Sequence, residues 1–353
     1  MEAQPDYYKG RGAQINTPNP YLKRHIAHEF HEGIDEPQMP TAPATQYYEE
    51  HPKNIVSKNN SPDIPFTYSI NPYQGCEHGC SYCYARNAHQ YWGFSAGMDF
   101  ESKIIVKPDA ARLLEQTLLK KTWQPEAISL SGNTDCYQPA EKKYQITRQL
   151  LKVFARYAHP VGIITKNQLI TRDLDILKDL AAMRLVHVFI SLPTLNEPLR
   201  RCMEPRTATG IARLKTIEQL SNAGVPVGVM TAPIIPGLNS NETPEIIRQA
   251  ANAGALKAGY TILRLNGNVQ HVFKDWLLKN YPNRFNKVWH QVAGVHGGTV
   301  SDANWGRRMQ GQGPIAQVIK QLFKQAVQKH MSSRSMPPYD LTLFRRGGNL
   351  SLF

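Results

Sequence analysis

Residues 71–87 read NPYQGCEHGCSYCYARN, a stretch that crowds three cysteines into eight positions: Cys76, Cys80 and Cys83. Thiolates are soft ligands that suit zinc and iron–sulfur clusters. A structural zinc site needs four ligands, so His78 or His89 would have to complete a Cys3His site, although structural zinc ligands usually come as two separated pairs. A 4Fe–4S cluster held by three thiolates instead keeps one iron open to a small molecule, as catalytic metal sites keep an open position.

The composition argues against a membrane protein and favours a reducing compartment. The chain has 353 residues, is 41% hydrophobic and has a mean hydropathy of −0.45. Its apolar runs are too broken for a membrane helix, and the opening MEAQPDYYKGRG contains no apolar signal segment. Five cysteines, three of them crowded together, do not resemble a disulfide framework, so we expect a cytoplasmic protein.

The positive charge lies outside the first part of the chain. Residues 1–65 carry six Lys and Arg against nine Asp and Glu, and the remaining residues carry 35 against 19. Such an excess favours a nucleic acid as partner, with DNA preferred, because cationic side chains displace counterions from phosphates. It also keeps many basic proteins soluble without any such partner, so charge alone does not decide.

Beyond an N-terminal arm, apolar runs alternate with helical patterns. Residues 1–65 are rich in Pro, Gln, Asn, His and Glu without a sustained period, which predicts an irregular, partly disordered arm. After FTYSINPY (66–73), the predicted strands are SKIIV (102–106), AISLS (127–131), VGIIT (161–165), LVHVFISL (185–192), VPVGVM (225–230) and YTILRL (260–265). Repeated βα units predict a parallel sheet covered on both faces, and about six units favour a partial barrel or an open wound sheet.

The spacing Cys-x3-Cys-x2-Cys after the first strand of such a sheet resembles the signature of the radical S-adenosylmethionine (radical SAM) enzymes. The resemblance covers roughly residues 66–270 and implies an α/β partial (βα)6 barrel of the TIM type. It implies that the three cysteines ligate a 4Fe–4S cluster whose open iron binds S-adenosylmethionine. In that family an electron donor such as flavodoxin or ferredoxin reduces the cluster, and cofactor cleavage yields a 5′-deoxyadenosyl radical that abstracts hydrogen from a substrate.

The sequence CSYCY (80–84) narrows the resemblance. Tyr82 occupies the aromatic position that in this family lies against the adenine, and Tyr84 follows the third cysteine. The doubled tyrosine resembles the spore photoproduct lyase branch, which repairs a thymine dimer in DNA and whose loop tyrosines assist the return of the hydrogen atom. Simple packing of two tyrosines in a half-buried loop is the alternative.

Polar residues follow several predicted strands, where ligands bind in parallel βα sheets. The resemblance places SGNTD (131–135) at the methionine amino group, although a plain turn has the same composition. It places Lys166 at the cofactor carboxylate, Ser191 at the ribose and two isoleucines on the adenine. The predicted cofactor-binding residues are thus Tyr82, Asn133, Thr134, Asp135, Lys166, Ser191, Ile234 and Ile235. Glu204 and Arg206 resemble a polar pair of the nearest relatives.

One position departs from the lyase. Where the lyase carries its cysteine hydrogen donor, this chain has Gly132, and Cys136 follows four residues later. We therefore treat Cys136 as a candidate hydrogen donor, with a buried, inert thiol as the alternative, and expect Cys202 to be structural. The departure indicates a sister group of the lyase rather than the lyase itself.

The chain closes with a predicted helical extension (271–330) and a predicted flexible tail (331–353). The tail contains DLTLF (Asp340–Phe344) and NLSLF (Asn349–Phe353), which resemble the bacterial sliding-clamp-binding motif, although that motif usually begins with Gln. A disordered linker could present Leu and Phe to a hydrophobic pocket of the clamp. The alternative is that the tail folds back and covers an apolar groove of the core.

These features together predict a radical SAM enzyme that abstracts hydrogen from a nucleic-acid substrate, with a DNA lesion preferred. An RNA, protein or small-metabolite substrate is the first alternative, and salt-dependent binding to duplex DNA would argue against it. A non-catalytic metal-binding adaptor recruited through its tail is the second alternative.

Overall fold

The computed structural model describes residues 7–22 and 43–347. In chain order its strands are β1 Gln46–Glu49, β2 Val56–Lys58, β3 Tyr68–Ile70, β4 Tyr73–Gln74, β5 Lys103–Val106, β6 Ile128–Leu130, β7 Val161–Thr165, β8 Val186–Ser191, β9 Val227–Ile234 and β10 Lys257–Ile262. Its α-helices are α1 Asp99–Ser102, α2 Ala110–Leu118, α3 Glu141–Tyr144, α4 Ile146–Arg156, α5 Leu174–Ala182, α6 Glu197–Met203, α7 Gly210–Asn222, α8 Thr243–Asn252, α9 Val269–Asn280, α10 Phe285–Gly294 and α11 Gly313–Met331. Within these ranges, none of the helices combines the length and the apolarity needed to cross a membrane.

The main sheet has seven strands in the order β10-β9-β8-β7-β6-β3-β2. Every neighbouring pair from β3 to β10 is parallel, and β2 pairs antiparallel with β3 at the edge. The six parallel strands confirm the predicted α/β fold of partial-barrel type. Their carboxyl ends lie on one side, which is where βα sheets bind ligands.

The strands bury one face against the helices and leave the other face partly open. In β7, Val161, Ile163 and Thr165 are buried whereas Gly162 and Ile164 are half-buried. The buried set joins the main hydrophobic core under α2, α4, α5, α7 and α8. Each fully buried aliphatic side chain in this core stabilises the fold by about 1.5–3 kcal/mol.

Two predictions for the part of the chain before α2 are corrected by the structure. The run SKIIV (102–106) is not a strand of the barrel, because β5 pairs with β1 and β4 in a separate three-stranded sheet. The N-terminal arm is not irregular throughout, since β1 and β2 lie inside it. An apolar run identifies a buried strand but does not say which sheet it joins.

The described part of the tail is docked rather than flexible, which corrects the prediction for DLTLF. The Tyr339 ring stacks on His187 with centroids 4.0 Å apart, and the Asp340 carboxylate lies 2.7 Å from the Arg184 guanidinium. Phe344 packs against the main core. The segment therefore covers the amino ends of β7 and β8, as the fold-back alternative expects. NLSLF (Asn349–Phe353) lies outside the described residues.

Candidate active site at the three-cysteine loop

The three-cysteine loop, residues 75–84, begins just after β4 at the carboxyl end of β3. Gly75 and Gly79 adopt positive φ values of 79° and 68°, which favour glycine. A Cβ on Gly75 would lie 2.9 Å from the Lys103 carbonyl oxygen, so the loop packs directly on the start of β5. Cys76 and Cys80 are buried and Cys83 is half-buried.

An N-terminal segment, residues 10–19, packs against this loop, which sequence reasoning missed. A Cβ on Gly12 would lie 1.6 Å from the Gly79 carbonyl oxygen, so the two backbones touch. The buried Glu101 carboxylate accepts the backbone N–H groups of Gly12 at 3.1 Å and Ala13 at 2.7 Å and pairs with Arg86. No spacing in the sequence signals this contact, because it joins residues about ninety positions apart.

The arginine beneath the loop fixes its backbone. Arg86 is fully buried and donates from Nε and Nη2 to the Cys80 carbonyl oxygen at 2.9 and 2.8 Å. Its Nη1 donates to the Gly97 carbonyl oxygen at 2.8 Å. Three of its donors therefore tie the loop to the segment before α1, and these charge-assisted bonds are among the stronger ones in proteins.

Burial raises the pKa of all three loop thiols. Asp135 and the two other thiols add to this for Cys76, and Glu204 adds to it for Cys80, whereas Arg86 and Lys166 oppose it for Cys83. Such thiols stay protonated unless a cation binds them, and a coordinated metal removes the proton outright.

The donor set fits a thiolate-bound metal cluster. Among residues 7–22 and 43–347, no three His, Cys, Asp or Glu side chains are arranged so that they could hold a metal ion as they stand. The three thiols nevertheless share one buried loop and lie close enough to perturb one another's pKa. His78 is an unsuitable fourth ligand, because Nδ1 lies 3.3 Å from Asp135 Oδ2 and Nε2 lies 3.2 Å from Asn167 Nδ2.

His89, the other candidate for a zinc site, occupies an apolar pocket. It is fully buried between Phe94 and Phe100, and among residues 7–22 and 43–347 neither ring nitrogen has a hydrogen-bond partner. Burial lowers the pKa of His89 to about 4, so the ring is neutral at physiological pH. A Cβ on Gly75 would lie 3.1 Å from the His89 ring, so the ring packs against the loop.

The segment after β6, residues 131–135, mainly bonds to neighbouring strand ends and lines the site less than predicted. The backbone N–H of Asn133 donates to Asn71 Oδ1 at 2.7 Å, and the side-chain amide of Asn133 reaches Gln74 Oε1 at 3.3 Å. The buried Thr134 hydroxyl donates to the Tyr73 carbonyl oxygen at 2.5 Å. The predicted cofactor contact of the Thr134 hydroxyl is therefore not supported, because this group joins two strand ends instead.

Asp135 likewise serves the protein's own backbone. Its carboxylate accepts the Thr165 hydroxyl at 2.7 Å and the backbone N–H of Lys166 at 2.8 Å. Although burial raises the pKa of Asp135, His78 and these donors lower it to about 2. The carboxylate thus joins the ends of β6 and β7 to the three-cysteine loop. These bonds do not indicate a direct contact between Asp135 and the cofactor.

Lys166 is the free cation of the site. Among the described residues its Nζ forms no hydrogen bond or salt bridge, and it lies 5.9 Å from the centroid of the Tyr82 ring. Burial lowers the pKa of Lys166, but Cys80 and Glu204 outweigh this and raise it, so the side chain stays charged. The structure therefore brings Lys166, Tyr82 and the loop thiols together, as predicted.

The three remaining predicted cofactor residues, Ile234, Ile235 and Ser191, have different surroundings. Ile235 packs in one apolar cluster with Cys80 and Tyr82, which keeps it near the loop. Ile234 belongs to a different apolar cluster, with Val295 and side chains of α11, and this packing does not support its predicted contact with the adenine. Ser191 is buried and donates to the Ala232 carbonyl oxygen at 3.3 Å.

Tyr84 lies across the mouth of the barrel. Its ring is 53% exposed, and its hydroxyl donates to the Gly132 carbonyl oxygen at 2.6 Å. Burial of the hydroxyl and the neighbouring Cys83 raise the pKa of Tyr84 to about 12. A Cβ on Gly132 would lie 2.7 Å from the Ser69 Cβ, so no side chain fits there without movement.

Cys136 does not reach this mouth. It is fully buried in the main core, and its backbone is held by Ser131 and Thr147 at 2.7 Å each. Burial raises the pKa of its thiol well above the ordinary value. The hydrogen-donor prediction for Cys136 is therefore not supported, because a thiol packed among apolar side chains cannot meet a substrate.

A buried acidic residue, Glu204, completes the site, and only one sequence motif pointed to it. The Tyr82 hydroxyl donates to the Glu204 carboxylate, whose other oxygen lies 2.7 Å from Arg213 Nη2. Glu204 Oε1 also lies 3.9 Å from Cys80 Sγ. The motif RRCMEPRT (200–207) marked Glu204 as polar, but Arg213 lies on the next helix and had no signal of its own.

The sequence comparisons agree with this geometry. The family model of the radical SAM superfamily matches residues 70–250. A protein of Mycobacterium tuberculosis described as uncharacterised is 35% identical over 225 residues, which is 63% of this chain and 66% of that protein. One of Methanocaldococcus jannaschii, described in the same way, is 27% identical over 226 residues, covering 64% of this chain and 81% of the relative. The match thus spans just under two thirds of the mycobacterial relative.

Solved structures share the fold. A mutant of spore photoproduct lyase superposes with a TM-score of 0.57 at 14% identity, covering 83% of this chain and 85% of the lyase. A spore photoproduct lyase complexed with dinucleoside spore photoproduct superposes with a TM-score of 0.57 at 14% identity. The superposition covers 80% of this chain and 79% of that lyase chain. At this identity the likeness shows the fold alone. The chain belongs to the radical SAM superfamily, whose members use a 4Fe–4S cluster and S-adenosylmethionine.

Proposed function

We propose that this chain is a radical SAM enzyme whose Cys76, Cys80 and Cys83 hold the 4Fe–4S cluster. The observation that carries the proposal is the buried loop of three thiols with Lys166 beside it, whose amine has no partner in the described part of the chain. When bound, the cluster supplies the electron that cleaves S-adenosylmethionine to a 5′-deoxyadenosyl radical. A small one-electron carrier of the flavodoxin or ferredoxin type is the expected donor, and we expect the enzyme to work in the cytoplasm.

The side chains around the loop would bind the cofactor and face the substrate. Lys166 offers a charged amine to the cofactor carboxylate, and the Tyr82 ring, held by its hydroxyl on Glu204, offers an aromatic face to the adenine. The Asn133 amide, half-buried and in contact with Gln74, is the group we propose for the cofactor amino group. Tyr84 stands at the mouth, where a substrate would enter.

The proposed substrate is a nucleic acid, with a DNA lesion preferred. The net charge of +13 supports a polyanionic partner, and structures of the same fold hold a dinucleoside lesion. The steric closure at Gly132 and the burial of Cys136 leave no cysteine at the lyase's donor position. We therefore propose hydrogen return by Tyr84 or a reductant from outside, and a lesion other than the spore photoproduct.

The first experiment measures 5′-deoxyadenosine. The protein is loaded anaerobically with iron and sulfide, reduced and given S-adenosylmethionine, and we expect product from the wild type and none from Cys80→Ala. Cys202→Ser is the matched control, because this half-buried cysteine lies outside the three-cysteine loop. Absence of product from a fully loaded wild type would overturn the proposal. Irradiated DNA, RNA and unmodified DNA are then compared for stimulation of the rate.

A further inference from the structure

The Glu204 carboxylate lies against a thiol that the proposed function assigns to the cluster. Glu204 is fully buried, and its Oε1 lies 3.9 Å from Cys80 Sγ while accepting the Tyr82 hydroxyl. Oε2 accepts from Arg213 Nη2 at 2.7 Å. Each oxygen therefore has a partner, and one of them also faces a sulfur atom.

The carboxylate cannot rotate away from that sulfur. Arg213 is itself buried, and its Nη1 and Nε donate to the carbonyl oxygens of Ser191 at 2.8 Å and Ala208 at 2.9 Å. The backbone N–H of Ser81 donates to the Met203 carbonyl oxygen at 3.0 Å, which fastens the three-cysteine loop to the end of α6. The charge of Glu204 is thus fixed in position relative to the loop.

Stability alone does not account for this arrangement. A buried ion pair often contributes little net stability, because the cost of removing two charges from water offsets their attraction. A charge in a poorly solvated site does act strongly on its neighbours. The potential of an iron–sulfur cluster depends on the net charge around it and on the bonds to its sulfur ligands.

We propose that the Glu204 carboxylate sets the reduction potential of the cluster, an inference that rests on the proposed function. Its negative charge beside a ligating sulfur opposes the addition of an electron and lowers the potential. The Tyr82 hydroxyl and Arg213 hold the carboxylate in place and offset part of its charge. Glu204 is in this sense a positioning and tuning residue, since it reaches the cluster only through Cys80.

The test is a redox titration of the loaded, full-length protein without S-adenosylmethionine, followed by electron paramagnetic resonance. Glu204→Gln keeps the shape of the side chain and removes its charge, so we expect the midpoint potential to shift to more positive values. An unchanged midpoint in this variant overturns the proposal.

The chain offers a matched control. Glu141 is also fully buried, also accepts a tyrosine hydroxyl, from Tyr73, and also pairs with an arginine, Arg172, at 2.7 Å. None of its described hydrogen-bond partners is a cysteine of the loop. Glu141→Gln therefore reproduces the loss of a buried Tyr–Glu–Arg contact, and we expect its midpoint potential to match that of the wild type. Equal shifts in the two glutamine variants would show a general loss of packing and overturn the proposal.

A second variant keeps the proposal testable if Glu204→Gln does not fold. Tyr82→Phe removes the hydroxyl that stabilises the carboxylate and leaves the charge in place, so the midpoint should move in the opposite direction, to more negative values. A shift to more positive values contradicts the proposal. Iron and sulfide contents are measured first. A wild type that binds no cluster would contradict the proposed function itself, and not only the tuning role of Glu204.

Discussion

The tightest contact in the site joins two glycines, Gly12 of the N-terminal segment and Gly79 of the three-cysteine loop. A Cβ on Gly12 would lie 1.6 Å from the Gly79 carbonyl oxygen, so Gly12→Ala must push the segment off the loop. We expect a loss of about 1–3 kcal/mol in the free energy of unfolding, as for other overpacked sites. Urea denaturation and iron retention after gel filtration measure the effect.

The control for this prediction is Gly294→Ala at the end of α10. A Cβ there meets nothing within 4 Å, and alanine is the better helix former by about 0.5–1 kcal/mol. The two glycine-to-alanine changes should therefore act in opposite directions. If Gly12→Ala changes neither the free energy of unfolding nor iron retention, the N-terminal segment does not pack on the loop as described.

Lys166 gives a prediction on cofactor affinity. Its charged amine has no partner among the described residues and faces the loop, so Lys166→Met should weaken binding of S-adenosylmethionine. A lost charge-assisted hydrogen bond of about 1.5–3 kcal/mol corresponds to roughly a tenfold to hundredfold rise in Kd. Calorimetry on the loaded protein measures it, and Lys257→Met, exposed at the opposite end of β10, should leave the Kd unchanged.

His159 gives a prediction on pH. Its Nε2 accepts from Trp123 Nε1 at 3.1 Å and its Nδ1 donates to the Pro160 carbonyl oxygen at 3.0 Å, so the folded protein needs the neutral ring. Burial lowers the pKa of His159 to about 4 from its ordinary 6.5. Below pH 6.5 the His159 ring becomes protonated in the unfolded chain, whereas in the folded protein it stays neutral until about pH 4. Stability should therefore fall across this window, by an amount on the order of 3 kcal/mol.

The check is the urea midpoint between pH 7 and pH 4. His159→Gln keeps an acceptor for Trp123 but does not titrate, so the free energy of unfolding should change less with pH than in the wild type. His290→Gln, at an exposed histidine, should leave the acid slope as it is. An unchanged slope in His159→Gln would contradict the prediction.

At the scale of elements, the sequence predicted which segments are strands better than which sheet they join. The runs that became β6 to β10 are long, apolar and separated by helical patterns, so local periodicity identified them. The run at β5 has the same character but pairs with β1, a strand with four exposed residues and no apolar signal. Pairing of that kind depends on tertiary contacts that a local pattern does not contain.

The same limit applies to the candidate site. The three cysteines and Lys166 were recognisable because their positions match a family motif. Ile234 and Ile235 were both expected on the adenine, but successive side chains of an extended chain point to opposite faces, and only Ile235 packs with Cys80 and Tyr82. Glu101 had no signal because its partner Ala13 lies 88 positions away, and Arg213 had none because no recognised motif joins it to Glu204.

The docked tail gives a prediction at the scale of elements. Phe344 packs on the main core with its ring 5.5 Å from that of His159, whereas Leu341 of the same motif is 42% exposed. Phe344→Ala should lower the free energy of unfolding by about 1–3 kcal/mol, less than for a fully buried ring. Leu341→Ala should have little effect. Thermal unfolding separates the two variants, and equal values would mean that the motif does not pack as described.

At the scale of the whole molecule, the net charge of +13 predicts salt-dependent binding to DNA. With about six phosphate contacts, affinity should fall roughly a thousandfold between 50 and 200 mM salt. The barrel has two ends, and only the carboxyl ends of the strands carry the candidate site. A substrate strand should therefore cross that end, where Arg264 stands near Tyr84 just after β10.

Two arginines at opposite ends of the barrel test this orientation. Within the described ranges the Arg264 side chain makes one long hydrogen bond, from Nη1 to the Asp302 carbonyl oxygen at 3.3 Å, so it retains donors for a phosphate. Arg264→Ala should weaken DNA binding and reduce the slope of log affinity against log salt by about one. Arg156, paired with Glu115 at 2.9 Å at the carboxyl end of α4, lies at the far end, and Arg156→Ala should change neither quantity. Equal losses in both variants would mean that the charge attracts DNA without orienting it, which would count against the proposed nucleic-acid substrate.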